Sequence, residues 1–304
     1  MSAKVIWTLG SIYTLLIAAT ITVQVIPARS RELVLRMRSW WVIVIAITLG
    51  TLGNRSGMIT LWAFVSFLAL KEYLSIIPTR RVDRRVLVFM YLAIPVQYLF
   101  VYYQDYGFFI ILVPVYMLLI LPMNMVLIGQ TEGFLKAIGS LHWGLMVTVF
   151  CVGHLAYLVV LPQDLATGVA LLLYLLIITQ LNDVSQYIWG KRFGKHKVLP
   201  TVSPNKSVEG VVGGVLTTMV LSLVLGVLLT PMSWWFALAV GLLLAVCGFL
   251  GDVTISAIKR DLGIKDSSQL IPGHGGILDR IDSLTYTAPL FFHIIRYVFY
   301  LPGN

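Results

Sequence analysis

The run Trp234–Gly251, WWFALAVGLLLAVCGFLG, carries no charge, and after four intervening residues the chain reads SAIKRDLGIKDSSQLIPGHGGILDRID over Ser256–Asp282. The first stretch is long and apolar enough to cross a hydrocarbon layer of about 30 Å. The second packs lysines, arginines, aspartates, a histidine and glycines into a chain that is otherwise apolar. Charge beside a membrane span is expensive unless it meets other charge. The pair therefore predicts an all-α, polytopic membrane protein with its chemistry in the polar loops.

Composition agrees with that reading. Of 304 residues, 59% are hydrophobic and only 12% charged, with a mean hydropathy of +0.90, against roughly 25% charged residues in soluble chains. The formal charge of +9 sits in short loops between apolar runs. Positive-inside topology and anionic headgroups account for that placement, and nucleic acid is not expected as a partner. Cys151 and Cys247 both lie in apolar runs without the spacing of a disulfide framework or a metal site.

Outward from the opening stretch, the candidate spans are Val5–Ile26, two within Trp40–Ile77 divided at GNRSG, Val86–Gln104, Tyr106–Gly129, Ala137–Leu161, Leu165–Leu181, Gly210–Thr230, Trp234–Gly251 and Leu284–Leu301. That makes about ten transmembrane helices. Met1–Ile26 reads as a first span rather than a removed signal peptide. The arginine-rich loops after Ile26 and at Thr79–Arg85 are expected on the cytoplasmic side. Parity then puts the two longest polar stretches, Asn182–Gly210 and Asp252–Ser283, on that side also. The expected division is an amino-terminal transmembrane region, 1–181, and a carboxy-terminal catalytic region, 182–304.

The acidic residues are distributed unevenly. Asp183, Glu209, Asp252, Asp261, Asp266, Asp279 and Asp282 all fall in the last part of the chain. Asp279 and Asp282 are three apart, so a helix would present them on one face, and Asp183 and Asp252 end apolar spans. Carboxylates converging on a lipid–water boundary suit a hard divalent cation such as magnesium, which completes its shell with water and phosphate oxygens. Asp261 and Glu209 read more simply as a solvated end and a cap.

The cations Lys206, Lys259, Arg260, Lys265 and Arg280 are mixed with these carboxylates, as a clamp on several phosphate oxygens requires. Asp252, Ser256 and Lys259 fall at i, i+4 and i+7, on one helical face. The PGHGG turn, with Gly275 and Gly276, brings backbone N–H groups within reach of a phosphate. In the basic loop Gly190–Gly210, Ser203, Asn205, Lys206 and Ser207 offer hydrogen-bond donors. His142, His154 and His293 lie isolated in spans and read as residues for packing or an interhelical hydrogen bond. No GxxxxGK[ST], GxSxG or HExxH occurs.

Together these residues resemble the phosphatidate cytidylyltransferases, also called CDP-diacylglycerol synthases. Ser256, Lys259, Arg260, Lys265, Asp266, Pro272, His274, Gly275, Gly276, Asp279, Arg280 and Asp282 match that family's signature at every spacing. Asn182–Asp183, Gly190, Phe193–Lys195, the SPNKS run at Ser203–Ser207 and Glu209–Gly210 resemble its upstream pattern. The likeness is specific from about Asn182 to Ser283. Gln186 stands where the family commonly has alanine, and Ser268 where glycine is usual.

The resemblance implies transfer of CMP from CTP to phosphatidic acid, releasing pyrophosphate, in a bacterial inner membrane with the active site on the cytoplasmic face. It implies Mg2+ or another divalent cation, with room for a second metal ion, held by Asp279 and Asp282 and supported by Asp252 and Asp183. Lys206, Lys259, Arg260, Lys265 and Arg280 would contact phosphates, with Asp266 counted in the catalytic set. Ser203, Asn205, Ser207 and Ser256 would bind substrate, and His274, counted in the catalytic set, would orient the glycine turn or a phosphate, a general-acid role being the alternative. CTP, phosphatidic acid and membrane lipids are the expected partners, a homodimer being left open. A CTP-dependent polyprenol-type kinase, a CDP-archaeol-type synthase and a non-catalytic protein that binds or transports anionic lipid are the alternative readings.

Overall fold

The computed structural model describes residues 3–25, 31–273 and 275–301. They form the helices α1 (Ala3–Val25), α2 (Arg31–Leu52), α3 (Asn54–Ile76), α4 (Val86–Tyr102), α5 (Tyr106–Val126), α6 (Phe134–Val160) and α7 (Leu165–Phe193). A hairpin of β1 (Lys197–Leu199) and β2 (Ser203–Ser207) precedes α8 (Val208–Leu229), α9 (Trp234–Asp261), the single turn α10 (Leu278–Ile281) and α11 (Leu284–Phe299). The chain is thus an all-α polytopic membrane protein.

Among the described residues nine helices are long and apolar enough to cross a membrane, one fewer than the sequence suggests. The difference is α11, whose 16 residues extend only about 24 Å at 1.5 Å per residue. The GNRSG boundary falls as expected. Asn54 takes a left-handed φ of 59°, a conformation that asparagine tolerates better than most residues, and this divides α2 from α3. The SPNKS run, read as loop, is instead strand β2, antiparallel to β1 with Leu199 opposite Ser203 and Lys197 opposite Ser207.

The chain packs as two compact units. One comprises Met1–Leu15, Leu161–Asp266 and Asp279–Asn304; the other comprises Leu16–Val160 and Ser267–Leu278. In the first, the usual amphipathic rule is inverted. Gly210, Gly214, Thr218, Ser222 and Gly226 of α8 are buried, while Val212, Leu216, Val220 and Val224 are exposed. Small and hydroxyl-bearing residues allow helices to approach closely where lipid supplies the apolar surroundings.

Polar side chains then join the helices of this unit. The Asn182 amide donates to the Ala245 carbonyl at 3.1 Å and accepts from Thr218 Oγ1 at 3.1 Å, linking α7, α8 and α9. Tyr174 and Ser222 share a hydrogen bond of 2.6 Å, and Ser222 donates to the Ala237 carbonyl.

In the second unit Tyr98 shares a hydrogen bond with Ser66 at 2.7 Å and donates to the Trp62 carbonyl at 2.8 Å. His154 is fully buried, with Nδ1 2.8 Å from the Phe150 carbonyl and its ring edge-on to Phe109 and Phe150. This is the packing role expected of an isolated histidine.

Candidate active site

Asp183 and Gln186 occupy successive turns of α7, beyond its apolar run. Asp183 Oδ2 accepts from Ser283 Oγ at 3.0 Å, while the buried Oδ1 has no hydrogen-bond partner among the described residues. Asp252, where the apolar run of α9 gives way to its polar last turns, accepts from Ser256 Oγ at 3.3 Å through Oδ1 and forms an ion pair with Lys206 Nζ through Oδ2. The Ser256 bond places these two residues on one helical face, as their spacing predicts. Lys206 reaches Asp252 from β2, passing over the Phe249 ring at 5.0 Å and donating to Gln186 Oε1 at 3.3 Å.

The carboxylates of the DRID turn separate. Buried Asp279 pairs with Lys259 Nζ at 2.6 Å. Asp282 accepts from the Ser283 N–H at 2.7 Å. Burial pushes the Asp282 carboxyl well above the usual carboxylate range, and the charges of Asp252 and Asp183 add to the shift. Asp183, Asp252 and Asp282 thus repel one another across a poorly hydrated site, with the Lys206 cation on Asp252. The Arg280 guanidinium lies close enough to favour ionisation of Asp282, and its buried Nε has no hydrogen-bond partner among the described residues.

This donor set fits a hard divalent cation. Magnesium takes one or two protein carboxylates and completes its shell with water and substrate oxygens, and the buried, donor-free Asp183 Oδ1 is an oxygen that a cation would satisfy. Among the described residues no group of three or more His, Cys, Asp or Glu side chains is placed to hold a metal ion, so a cation here would take at most two protein carboxylates, with water and substrate phosphates supplying the remaining ligands.

Other expected site residues have local partners. Arg260 donates to the backbone carbonyls of Val202 at 3.2 Å and Ile264 at 3.0 Å, joining the hairpin turn to the end of α9. Ser207 caps α8 by accepting the Gly210 N–H at 3.2 Å. Ser203 is half-buried, and Asn205, Lys265 and Asp266 are exposed. Glu209 accepts the N–H groups of Lys195 and His196 and lies 2.6 Å from His196 Nδ1, a hold on the approach to the hairpin.

Within the other unit, Ser267–Leu278 folds into a tight turn. The Ile271 N–H donates to the Gly275 carbonyl at 2.8 Å, and Gly273 and Gly275 take φ values of 76° and 79°, which glycine adopts without strain. His274 lies outside the described residues. Sequence reasoning passed over the residues that hold this turn. Ser39 of α2 donates to the Pro272 carbonyl at 2.7 Å and Arg36 to the Gly273 carbonyl at 3.2 Å. Buried Glu72 of α3 accepts from Ser267, from Ser268 at 2.9 Å, and from the N–H groups of Ile277 at 2.9 Å and Leu278 at 3.1 Å. A carboxylate within an apolar run is itself a signal of function, and Glu72 was legible on that ground.

Comparison with known proteins agrees with this chemistry. The chain is 45% identical over 298 residues to the Escherichia coli K12 uncharacterized protein YnbB, covering 96% of this chain and 98% of that one. It is 34% identical over 176 residues to the phosphatidate cytidylyltransferase of Staphylococcus saprophyticus, covering 56% of this chain and 66% of that enzyme. The phosphatidate cytidylyltransferase of Staphylococcus aureus strain COL is 38% identical over 154 residues, 49% of this chain and 59% of that enzyme. The profile of the cytidylyltransferase family matches residues 34–298. With that match across most of its length, the chain belongs to the cytidylyltransferase family and is a membrane-embedded nucleotidyltransferase.

Proposed function

We propose that the protein transfers the CMP unit of CTP to phosphatidic acid, giving CDP-diacylglycerol and pyrophosphate. The observation that carries this reading is the array of Asp183, Asp252 and Asp282 beside Lys206 and Arg280, with the Lys259–Asp279 pair in the same unit. It is a site of alternating charge where the apolar runs of α7 and α9 give way to polar turns. Likeness to two phosphatidate cytidylyltransferases supports the choice of lipid.

In the reaction an oxygen of the lipid phosphate forms a bond to the α-phosphorus of CTP. The bond from that phosphorus to the oxygen bridging it to the β-phosphorus breaks, and the electron pair leaves with pyrophosphate. A phosphate monoester has a second pKa of about 6, so the nucleophile is largely dianionic at neutral pH and needs no protein base.

The protein's work is to bring two anions together in line and to neutralise them. Lys206, Lys259 and Arg280 supply cations that phosphates would compete for against their present carboxylate neighbours. Ser203, Asn205 and Ser256 supply hydroxyl and amide donors, and Lys265 with Asp266 follows α9 at its exposed end. Asp282 with Asp183 or Asp252 would hold magnesium, which when bound withdraws charge from the phosphate oxygens and the departing pyrophosphate, while Asp279 holds Lys259. The arginine and lysine content of the short loops supports a cytoplasmic position for these segments, where CTP is available.

The test is a magnesium-dependent assay of purified protein with phosphatidic acid vesicles and CTP labelled at either the α- or the γ-phosphate. The α-label should enter lipid and the γ-label should appear in pyrophosphate. Transfer of the γ-label to a polyprenol with release of CDP would assign a kinase instead. Absence of CTP consumption with phosphatidic acid would remove this reading.

A further inference from the structure

A carboxylate with 5% exposure in the middle of an apolar protein must be neutralised by donors, and Glu72 finds them all in one short segment. Both of its oxygens are engaged: Oε1 by Ser267 Oγ and the Leu278 N–H at 3.1 Å, Oε2 by Ser268 Oγ and the Ile277 N–H at 2.9 Å. These donors flank the glycine turn on either side, so the carboxylate closes Ser267–Leu278 into a loop. From α2, Ser39 and Arg36 bind the carbonyls of Pro272 and Gly273 at the same turn. Acceptor and donors are therefore divided between two helices, Glu72 taking the segment's N–H and hydroxyl groups and α2 serving its carbonyls.

Gly276 shows how closely the carboxylate is fitted. A Cβ at that position would lie 1.8 Å from Glu72 Oε1 and 2.4 Å from Ser267 Oγ. The glycine is needed there because the carboxylate occupies the space of a side chain.

We propose that Glu72 is a positioning residue for the nucleotidyl transfer, holding the Ser267–Leu278 loop so that the residues on either side of it in the chain stay in working geometry. Lys265 and Asp266 precede the loop and Asp279, Arg280 and Asp282 follow it. The proposal rests on the reading of those residues as the site of CTP chemistry. With its oxygens already bonded to the chain, Glu72 acts through the loop and not on the substrate.

In Glu72→Gln one oxygen becomes an NH2 group. A serine hydroxyl can turn to accept from it, but a backbone N–H cannot, so either Ile277 or Leu278 loses its acceptor. Loss of a hydrogen bond to a charged group corresponds to about a 10- to 100-fold change. The full-length protein in detergent should therefore show hydrogen exchange at one of these amides faster by about that factor, with exchange in α11 unchanged. For protein that elutes as folded on gel filtration, kcat with CTP and phosphatidic acid should fall by at least about 10-fold, Glu72→Asp recovering part of the loss and Glu72→Ala none.

Wild-type kcat and KM in folded Glu72→Gln overturn the proposal, as do unchanged amides. If Glu72→Gln does not fold, Ser268→Ala carries the test. It keeps the carboxylate and removes one donor, and it should lower kcat several-fold at wild-type folded yield; unchanged kcat counts against the proposal. Failure of the phosphatidate reading is distinguishable. In that case the wild-type protein leaves phosphatidic acid unchanged, while the amide exchange, measured without lipid substrate, still decides whether Glu72 holds the loop.

Discussion

At the scale of single residues, the two carboxylates of the DRID turn differ in what surrounds them. Asp279 is matched by a buried cation, whereas Asp282 is pressed by two like charges and held by the N–H of Ser283. Asp282→Asn should relieve repulsion and leave the fold intact while removing an oxygen proposed above to bind the metal. We expect turnover to fall to background with an unchanged elution profile and thermal midpoint in detergent; near-normal turnover would end the metal assignment. Asp279→Asn should behave otherwise, because it leaves the Lys259 ammonium buried and unpaired. Breaking such a pair costs on the order of 3 kcal/mol, so this variant should lose thermal stability as well as activity. Equal thermal midpoints for the two variants would contradict the contrast between a paired and an unpaired carboxylate.

At the scale of elements, α8 carries its information on the inner face. A Cβ on Gly214 would lie 2.3 Å from Gln186 Cγ and 3.1 Å from its backbone nitrogen, so Gly214→Leu should push α7 and α8 apart, at the cost of about 1–3 kcal/mol typical of overpacking. Val220→Leu on the exposed face should leave the thermal midpoint unchanged, and a loss at Val220 equal to that at Gly214 would refute the inverted pattern. At the start of the same helix, Ser207 serves as its cap. Ser207→Ala should cost about 1 kcal/mol, visible as a lowered thermal midpoint at unaltered KM for CTP; a raised KM with normal stability would return Ser207 to the substrate. The spans were legible because charge-free runs of this length have few other uses. Strand β2 was not, since SPNKS contains a proline and owes its extended form to pairing with β1. The role of Glu72 was hidden for a related reason, its partner Ser267 lying 195 residues away with no local pattern to connect them.

At the scale of the whole chain, the family signature crosses a packing boundary that no linear reading anticipates. Lys259 to Asp266 and Asp279 to Asp282 belong to one unit, whereas Ser267–Leu278 belongs to the other. The amino-terminal helices, read as plain apolar spans, supply Arg36, Ser39 and Glu72 to the middle of that signature. Such pairings arise from three-dimensional closure, which periodicity and composition do not encode. Sidedness is different, because it follows from charge counts in short loops and can be tested without reference to catalysis. Cysteines introduced singly at Thr201, in the hairpin turn, at Asp261, at the end of α9, and at exposed Gln163, between α6 and α7, should divide into two classes in a variant with Cys151 and Cys247 replaced by serine. Position 163 is separated from 201 by the span α7, and from 261 by the three spans α7, α8 and α9; both are odd numbers of crossings. A membrane-impermeant maleimide applied to intact cells should label position 163 alone, and inverted vesicles should show only 201 and 261. Labelling of 201 and 261 from opposite sides would break the parity argument, because α8 and α9 between them return the chain to its starting face.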